Sequence, residues 1–499
     1  MRVGGRKGHP YFLLSAVCCL LFCYSMNTFS FPVPSHAEWS LIRIQATEAL
    51  PAAFVRPPLH LCLLLDVSAS MDDEGRLENV KHSLHHLLGL LTPTDRVSLV
   101  TFSRRATTIL RQAFLDDVEA LRVTLSCIRS ESNTNLGAGL VEAQRTLFRD
   151  PGQTQCVLLL TDGFATSGVM EADALLALAA PLTESSVLHV IGYGEGHQAD
   201  LLSRMATVGG GSYHVVCNKE DVAVVIGDVV GGLVSCAFQQ VTLTLPVCEI
   251  KTRYQVRHVA AIESGVSASM EIKIGDLMEH GEAIVLARLP IGSSFHVDAL
   301  NRVTGAVDTT WAMVYATEEP RLHAMGAAHW LRWEVVTIME DVAEHVEAFG
   351  VMRSLTFLAL EQRITECLTA IRETRALCSD YEGALWDLLT HELTICQGMA
   401  GGMSTVHLRQ HGATLSLMRG VSSRTSTNST NSTNGSLLPL SRAFSNATQR
   451  SWSEQMSQNV EAQPFMSAPP PLSLMRTHGN ARAYAHFPSA AAIQETQDM

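Results

Sequence analysis

Short apolar runs alternate with amphipathic segments between residues 58 and 236. The runs Leu59–Leu65, Gln155–Leu160 and Val187–Ile191 are typical of strands that are buried on both faces. Residues 77–91 carry Leu or Val at nearly every third or fourth position, which predicts a helix lying on a sheet. Strands that alternate with helices in this way predict an α/β fold with a doubly wound, mostly parallel sheet over residues 58–236.

The pattern changes after residue 236. Residues 237–320 contain short alternating runs, among them Val241–Leu245 and Val307–Tyr315, with turn residues between them. Several such strands in succession predict a β-sandwich-like module. Residues 321–400 are rich in Ala, Leu, Glu, Arg and Met and nearly free of Pro, which predicts two to four helices packed on that module.

Periodicity is lost in the C-terminal part of the chain. Residues 409–499 include the tract Ser422–Ser436, which is almost entirely Ser, Thr and Asn. This composition buries too little apolar surface to offset the entropy of ordering, so residues 409–499 are predicted to be a disordered tail. Sequons for N-glycosylation begin at Asn428, Asn431, Asn434 and Asn446. A tract of Ser, Thr and Asn generates sequons by chance, so they support secretion only weakly.

The N-terminal segment resembles a targeting signal. Basic residues precede an apolar stretch from about residue 11 to residue 26, and Ser35-His36-Ala37 follows as a small-residue cleavage site. The stretch is short for a membrane span, which needs ~20 apolar residues, so residues 1–37 are interpreted as a signal peptide or a membrane anchor. This favours a secreted or membrane-associated protein. If translation starts at Met26, the protein would be cytoplasmic and its first strand would be Trp39–Ala46.

The net charge and the spacing of the cysteines argue against several classes of protein, and the length bounds the number of domains. A chain of 499 residues is long enough for two or three domains. The formal net charge of −13 argues against a nucleic-acid-binding protein, because phosphate binding requires a basic surface. The 12 cysteines form no Cys-x-x-Cys pair, which argues against zinc-finger and thioredoxin-like sites. Cys62 and Cys156 lie in apolar strands and are predicted to be buried thiols, while disulfides among the others remain open.

Oxygen-bearing side chains stand where the predicted strands end. Asp66, Ser68 and Ser70 follow the first α/β strand, Thr134 precedes a helix, and Asp162 follows another apolar strand. Open α/β sheets bind their ligands at the carboxyl ends of their parallel strands, so these side chains are expected to meet. Carboxylate and hydroxyl oxygens suit a hard divalent cation, Mg²⁺ first and Mn²⁺ or Ca²⁺ as alternatives.

These motifs resemble the von Willebrand factor A (VWA) domain and its metal-ion-dependent adhesion site. The shared pattern is Asp-x-Ser-x-Ser, a distal Thr in an Asn/Gly-rich loop and an Asp in Thr-Asp-Gly. The resemblance implies that Ser68, Ser70 and Thr134 coordinate the cation through their hydroxyls, and that Asp66 and Asp162 act partly through water. It also implies that an open coordination position accepts a carboxylate from a partner protein.

The order of the modules extends the resemblance. A VWA domain followed by a β module is similar to inter-alpha-trypsin-inhibitor heavy chains and to plant VWA ubiquitin ligases. The zinc-binding RING pattern of those ligases is missing, so ubiquitin ligation is not supported. His391-Glu392 begins like a zinc-protease helix, but Ile395 stands where the second His is needed. No Gly-x-Ser-x-Gly nucleophile motif occurs either, so the protein is not expected to be an enzyme.

The sequence therefore predicts a divalent-cation-dependent protein-binding module that captures an acidic side chain of its partner. The N-terminal apolar segment would provide any membrane tether. The alternative is a scaffold subunit of a larger intracellular complex.

Overall fold

The computed structural model describes thirteen stretches of the chain and is discussed for these residues alone. They are residues 26–34, 36–46, 50, 54–148, 153–162, 164–193, 197–216, 219–252, 254–259, 268–349, 355–378, 383–400 and 446–462. The strands are β1 (Met26–Val33), β2 (His36–Ala46), β3 (Leu59–Asp66), β4 (Arg96–Phe102), β5 (Ala106–Phe114), β6 (Thr154–Thr161), β7 (Val187–Tyr193), β8 (Gly210–Val216), β9 (Cys236–Pro246), β10 (Ile250–Lys251), β11 (Gln255–Val259), β12 (Ser269–Met278), β13 (Glu282–Ala287), β14 (Ser294–Asn301) and β15 (Val307–Met313). The helices are α1 (Arg76–Leu88), α2 (Val118–Ser126), α3 (Leu136–Gln144), α4 (Ala172–Ala179), α5 (Ala199–Val208), α6 (Lys219–Val234), α7 (Pro320–Phe349), α8 (Leu355–Leu377), α9 (Gly383–Ala400) and α10 (Ala447–Ala462). Two 3₁₀ helices, Ala69–Gly75 and Ala180–Glu184, complete this description.

A six-stranded sheet forms the centre of the α/β domain, in the order β5-β4-β3-β6-β7-β8. All neighbouring pairs are parallel except β4 with the edge strand β5. The two faces bury alternate residues of the same strand. Leu61 and Leu63 pack under α1, α2 and α6, whereas Cys62 and Leu64 pack under α3, α4 and α5. The predicted doubly wound sheet, covered on both faces, is confirmed.

Two further sheets pack face to face as a β-sandwich. One has the order β1-β2-β13-β10 and the other β11-β12-β9-β14-β15. Their shared core contains Ile42 and Val285 from the first sheet with Leu243, Ile272 and Val297 from the second. The predicted sandwich is confirmed, with one addition. Its strands β1 and β2 come from before the α/β domain, so that domain is inserted in the sandwich between β2 and β9.

The hairpin of β1 and β2 overlaps the predicted targeting segment, residues 1–37. Strand β1 and the start of β2 lie inside residues 1–37, and Phe31 and Val33 are buried. Cleavage after Ala37 would therefore remove β1, together with two buried residues of the cluster that packs the outer face of the first sandwich sheet against α7. The apolar stretch that predicts the signal or anchor lies mostly in residues 1–25, outside the described residues, and its function stays a prediction.

Three long helices, α7, α8 and α9, follow the sandwich and agree with the predicted helical region. They share a core around the fully buried Trp386. Helix α7 also lies on the outer face of the first sandwich sheet, where Met325 packs with Phe31 and Trp39. Among the described residues, no helix is both long enough and apolar enough to cross a membrane.

The prediction of a disordered tail is wrong for residues 446–462. This segment contains α10, which packs on α6 and α1 and buries Gln449, Ser453 and Met456. These positions are three or four residues apart and form one face of a helix. The prediction was based on composition, and it failed here because two of the three buried residues are polar. The remainder of residues 409–499 lies outside the described residues.

Glycines of α6 allow α10 to approach closely. A Cβ placed on Gly227 would lie 2.8 Å from the Ser453 Cα, and one on Gly231 would lie 2.7 Å from the Gln449 Cα. The polar groups of α10 bond to the α6 backbone across this contact. Gln449 Nε2 donates to the Asp228 carbonyl at 3.0 Å, and Ser453 Oγ donates to the Val224 carbonyl at 3.0 Å. The interface therefore combines a close approach of the two backbones and side-chain-to-backbone hydrogen bonds with the apolar contacts of Met456.

The cysteines of the described residues are free thiols. Cys62 and Cys156 are fully buried, as predicted. Burial raises the pKa of Cys62 to about 12 and also raises that of Cys156, so both thiols stay protonated at neutral pH.

Candidate metal site

The five predicted site residues lie at one end of the six-stranded sheet. Asp66 is the last residue of β3, Ser68 and Ser70 follow it, and Asp162 comes directly after β6. β3 and β6 are parallel neighbours in register, with Leu65 opposite Leu160, so their C-terminal loops emerge side by side. The topology therefore places these loops together without any contribution from the other modules.

Hydrogen bonds connect four of the five residues. Asp66 Oδ1 accepts from the Ser68 backbone N–H at 2.8 Å, and the Ser68 and Ser70 hydroxyl oxygens lie 3.1 Å apart. Ser70 Oγ donates to Asp162 Oδ1 at 2.8 Å. The other carboxylate oxygen of Asp66 accepts from Thr161 Oγ1 at 2.6 Å. The Asp-x-Ser-x-Ser loop and the loop after β6 are thus a single connected set of oxygen atoms.

Thr134, the fifth residue, is buried immediately before α3 and is held through its backbone. Its N–H donates to Thr166 Oγ1 at 2.8 Å, and its carbonyl accepts from the N–H groups of Thr166 and Ser167 at 2.9 and 3.2 Å. Asn135 then caps α3 by accepting from the Ala138 N–H at 3.0 Å. The Thr134 loop is therefore attached to the loop that follows Asp162.

Burial differs among the five residues. Asp66, Ser68, Thr134 and Asp162 are buried, whereas Ser70 is half-buried and gives the set its opening toward solvent. Burial raises the pKa of Asp66 to about 6, although the hydrogen bonds from Thr161 and Ser68 act in the opposite direction. Once ionised, a carboxylate in this buried position is stabilised by any cation that comes close to it.

Arg76 is part of the site, and the sequence analysis missed it. It is the first residue of α1, and its Nη1 donates to Asp162 Oδ2 at 2.8 Å. Burial lowers the pKa of Arg76, but the hydrogen bond and charge of Asp162 outweigh this and raise it overall. Gly75, with φ of +67°, lets the chain turn from the 3₁₀ helix into α1 and so positions Arg76. The Gly-Arg pair following the Asp-x-Ser-x-Ser loop was the available signal, but it belongs to no motif used in the prediction.

The donor set fits a hard divalent cation. It offers two carboxylates and three hydroxyls, which are oxygen ligands of the kind that Mg²⁺ and Mn²⁺ accept. Within the part of the chain that the structure describes, no group of three or more His, Cys, Asp and Glu side chains is placed to hold a metal. A cation in this part of the protein would therefore depend on Ser and Thr hydroxyls. Such neutral ligands leave most of the cation's charge available to an incoming anion.

Comparison with known proteins agrees with the fold. Residues 60–229 match the family model of the von Willebrand factor type A domain. The structure of a von Willebrand factor type A protein from Catenulispora acidiphila aligns with a TM-score of 0.54, covering 70% of this chain and 84% of that one. Its identity is 14%, so the alignment shows the fold alone. Residues 60–229 are therefore a VWA domain, and the predicted resemblance to that domain is confirmed, whereas the metal-ion-dependent adhesion site stays a prediction.

Two relatives match by sequence. An uncharacterized protein, sll0103, from Synechocystis sp. (strain ATCC 27184 / PCC 6803 / Kazusa) is 25% identical over 244 residues, which are 47% of this chain and 57% of that protein. Inter-alpha-trypsin inhibitor heavy chain H1 from Bos taurus is 30% identical over 127 residues, 23% of this chain and 14% of that protein. The predicted likeness to these heavy chains is thus confirmed over part of the chain. Both matches span less than two thirds of the relative's own length.

Proposed function

We propose that the VWA domain binds a divalent cation through Asp66, Ser68, Ser70, Thr134 and Asp162, and that the bound cation captures an acidic side chain of a protein partner. The proposal is supported by the series of hydrogen bonds that runs from Asp66 through both serines to Asp162. Apart from the Ser68 backbone N–H, the atoms that exchange these hydrogen bonds are side-chain oxygens of the kind a cation would need. Their shared opening at Ser70 faces solvent, where a partner could approach.

We propose a separate task for Asp66, for the two serines and for Asp162. Asp66 is fixed by two hydrogen bonds and supplies buried negative charge, whereas Ser68 and Ser70 offer neutral oxygens that can turn toward a cation. Asp162 joins the two loops and supplies the second negative charge. A cation bound there would supply a Lewis-acidic centre for a carboxylate. The proposal does not include a chemical transformation.

The test is thermal unfolding of the full chain in EDTA and in Mg²⁺ or Mn²⁺. A cation at ~100 times its Kd stabilises the native state by ~2.7 kcal/mol, which raises the Tm by roughly 3 °C when the whole chain unfolds in one transition and by about 5–10 °C when the α/β domain unfolds on its own. Ser68→Ala should lose this response. Ser186→Ala is the matched control, because Ser186 is also buried but precedes β7 at the opposite end of the sheet. A wild-type Tm that does not respond to any cation would contradict the proposal.

Capture of an acidic partner needs a separate measurement. A library of displayed peptides, selected on the full chain in Mn²⁺, should enrich sequences with Asp or Glu, and EDTA should release them. Enrichment that is unchanged in EDTA would favour the alternative function, a scaffold whose VWA domain binds its partner without a cation.

Localisation in the secretory pathway or at a membrane is likewise proposed rather than established. It rests on the basic and apolar residues at the N-terminus. The location of a C-terminal fluorescent fusion tests it, and a cytosolic signal would instead support initiation at Met26.

A further inference from the structure

A guanidinium group lies inside the proposed cation site. The Arg76 side chain is 18% exposed and pairs with Asp162, whose side chain is fully buried, at 2.8 Å. Its second partner, Glu74, is 3.5 Å away, and that side chain is 78% exposed, so this pair contributes little. Arg76 is therefore bound chiefly to a residue that the proposed cation also requires.

The charges of Asp66, Asp162 and Arg76 determine how strongly the site attracts a cation. Asp66 and Asp162 together carry two negative charges when ionised, and Arg76 cancels one of them. A divalent ion at Ser70 would meet a positive charge held within a few ångströms, and like charges repel strongly in a partly buried site. The pair with Arg76 also engages Asp162 Oδ2, leaving Oδ1 to Ser70.

The guanidinium has unused hydrogen-bonding capacity. Arg76 Nε is buried and has no hydrogen-bond partner. An unsatisfied buried donor costs free energy, and Nε with one terminal nitrogen forms the fork that binds a carboxylate through two parallel bonds. An incoming acidic side chain would supply both the missing acceptor and a new counter-charge for Arg76.

We propose that Arg76 couples the two binding events at this site: it weakens the cation bound alone, and it turns from Asp162 to the partner's carboxylate when both are present. The inference rests on the proposed function and adds a determinant of specificity to it. The partner's acidic group then contacts both the cation and the guanidinium. Cation and carboxylate are consequently expected to strengthen each other's binding.

The experiment is titration of the full chain with Mn²⁺ by calorimetry, in acetate and in chloride at equal ionic strength. Wild type should bind Mn²⁺ weakly in chloride and several-fold more tightly in acetate. Arg76→Gln should bind Mn²⁺ about tenfold more tightly than wild type in chloride, with a smaller gain from acetate. Arg76→Lys keeps the positive charge and should bind Mn²⁺ in chloride as weakly as wild type.

Arg145→Gln is the control for a change of net charge. Arg145 follows α3 at the end remote from Thr134 and pairs with Glu142 at 2.8 Å, so its loss should leave Mn²⁺ binding unchanged. Thermal unfolding in EDTA checks that each variant is folded. Equal Mn²⁺ affinity of wild type and Arg76→Gln in chloride would overturn the inference, as would an undiminished acetate effect in Arg76→Gln. Failure of wild type, Arg76→Gln and Arg76→Lys alike to bind Mn²⁺ would instead overturn the proposed cation site itself.

Discussion

The close contact between α10 and α6 predicts that one added methyl group weakens the docking of α10. In Gly231→Ala the new Cβ would lie 2.7 Å from the Gln449 Cα and 3.1 Å from the Trp452 Cβ. Carbon atoms pack best at ~3.5–4.0 Å, so α10 has to move outward by roughly 1 Å. Both close neighbours are fixed to the helix backbone and cannot turn away.

The loss of docking free energy is estimated from the contacts that this movement weakens. It stretches the bonds from Gln449 and Ser453 to the α6 carbonyls, each worth ~1 kcal/mol, and it loosens the burial of Met456, worth ~1.5–3 kcal/mol when complete. Against this, Ala is favoured over Gly in a helix by ~1 kcal/mol. We expect a net weakening of α10 docking of about 1–3 kcal/mol.

Gly232→Ala is the matched control. It gains the same helix propensity, but its new Cβ would meet only the Gln449 side chain, with Nε2 at 3.0 Å, so it disturbs at most the bond from Gln449 to the Asp228 carbonyl and does not force the helices apart. Hydrogen exchange of residues 447–462 measures the opening of α10 directly. Exchange should accelerate clearly more in Gly231→Ala than in Gly232→Ala. Equal protection of α10 in wild type and Gly231→Ala would refute the close-packing argument.

Two further predictions concern buried polar residues. Asp66→Asn in EDTA at pH 7.5 should raise the free energy of urea unfolding by ~1–3 kcal/mol, because burial raises the pKa of Asp66 to about 6 and its charge is costly above that pH. The advantage should shrink as the pH falls from 6 and vanish below the unfolded pKa of ~3.9, so an advantage independent of pH would contradict the assignment. Asn446→Ala should weaken α10 by ~1 kcal/mol, because Asn446 accepts from the Gln449 N–H at 2.8 Å and donates to Ser235 Oγ at 2.9 Å. Hydrogen exchange of α10 checks this against Asn459→Ala on the same helix, and equal effects of the two substitutions would count against a capping role.

The α/β domain could be predicted from the sequence because its signals are local. Buried parallel strands read as apolar runs, and the residues after β3 and β6 meet because those strands are neighbours. Arg76 could not be predicted in the same way. Its contact with Asp162 depends on the path of the 3₁₀ helix and on the turn at Gly75, which the spacing of apolar residues does not encode.

The sequence analysis also missed the place of β1 and β2 in the sandwich and the helix α10, for two different physical reasons. Strands β1 and β2 were not assigned to the sandwich because their partner β13 is far away in the chain, and strand pairing over such distances leaves no local pattern. Helix α10 was missed because Gln449 and Ser453, which are polar, occupy its buried face. The spacing of Gln449, Ser453, Met456 and Val460 was a helical signal, but only Met456 and Val460 are apolar.

The insertion of the VWA domain also sets the order in which the chain can fold as it leaves the ribosome. Ser40 of β2 pairs with Ala287 of β13, 247 positions later, which at ~5–20 residues per second is a wait of roughly 12–50 s. Over this interval β1 and β2 are at most a two-stranded hairpin, which is marginal alone and presents an open edge. The domain that carries the site is synthesised entirely within the same interval. Residues 26–46 of the nascent chain are therefore open to mispairing during this interval, and the sandwich closes only after the domain held between its strands has been synthesised.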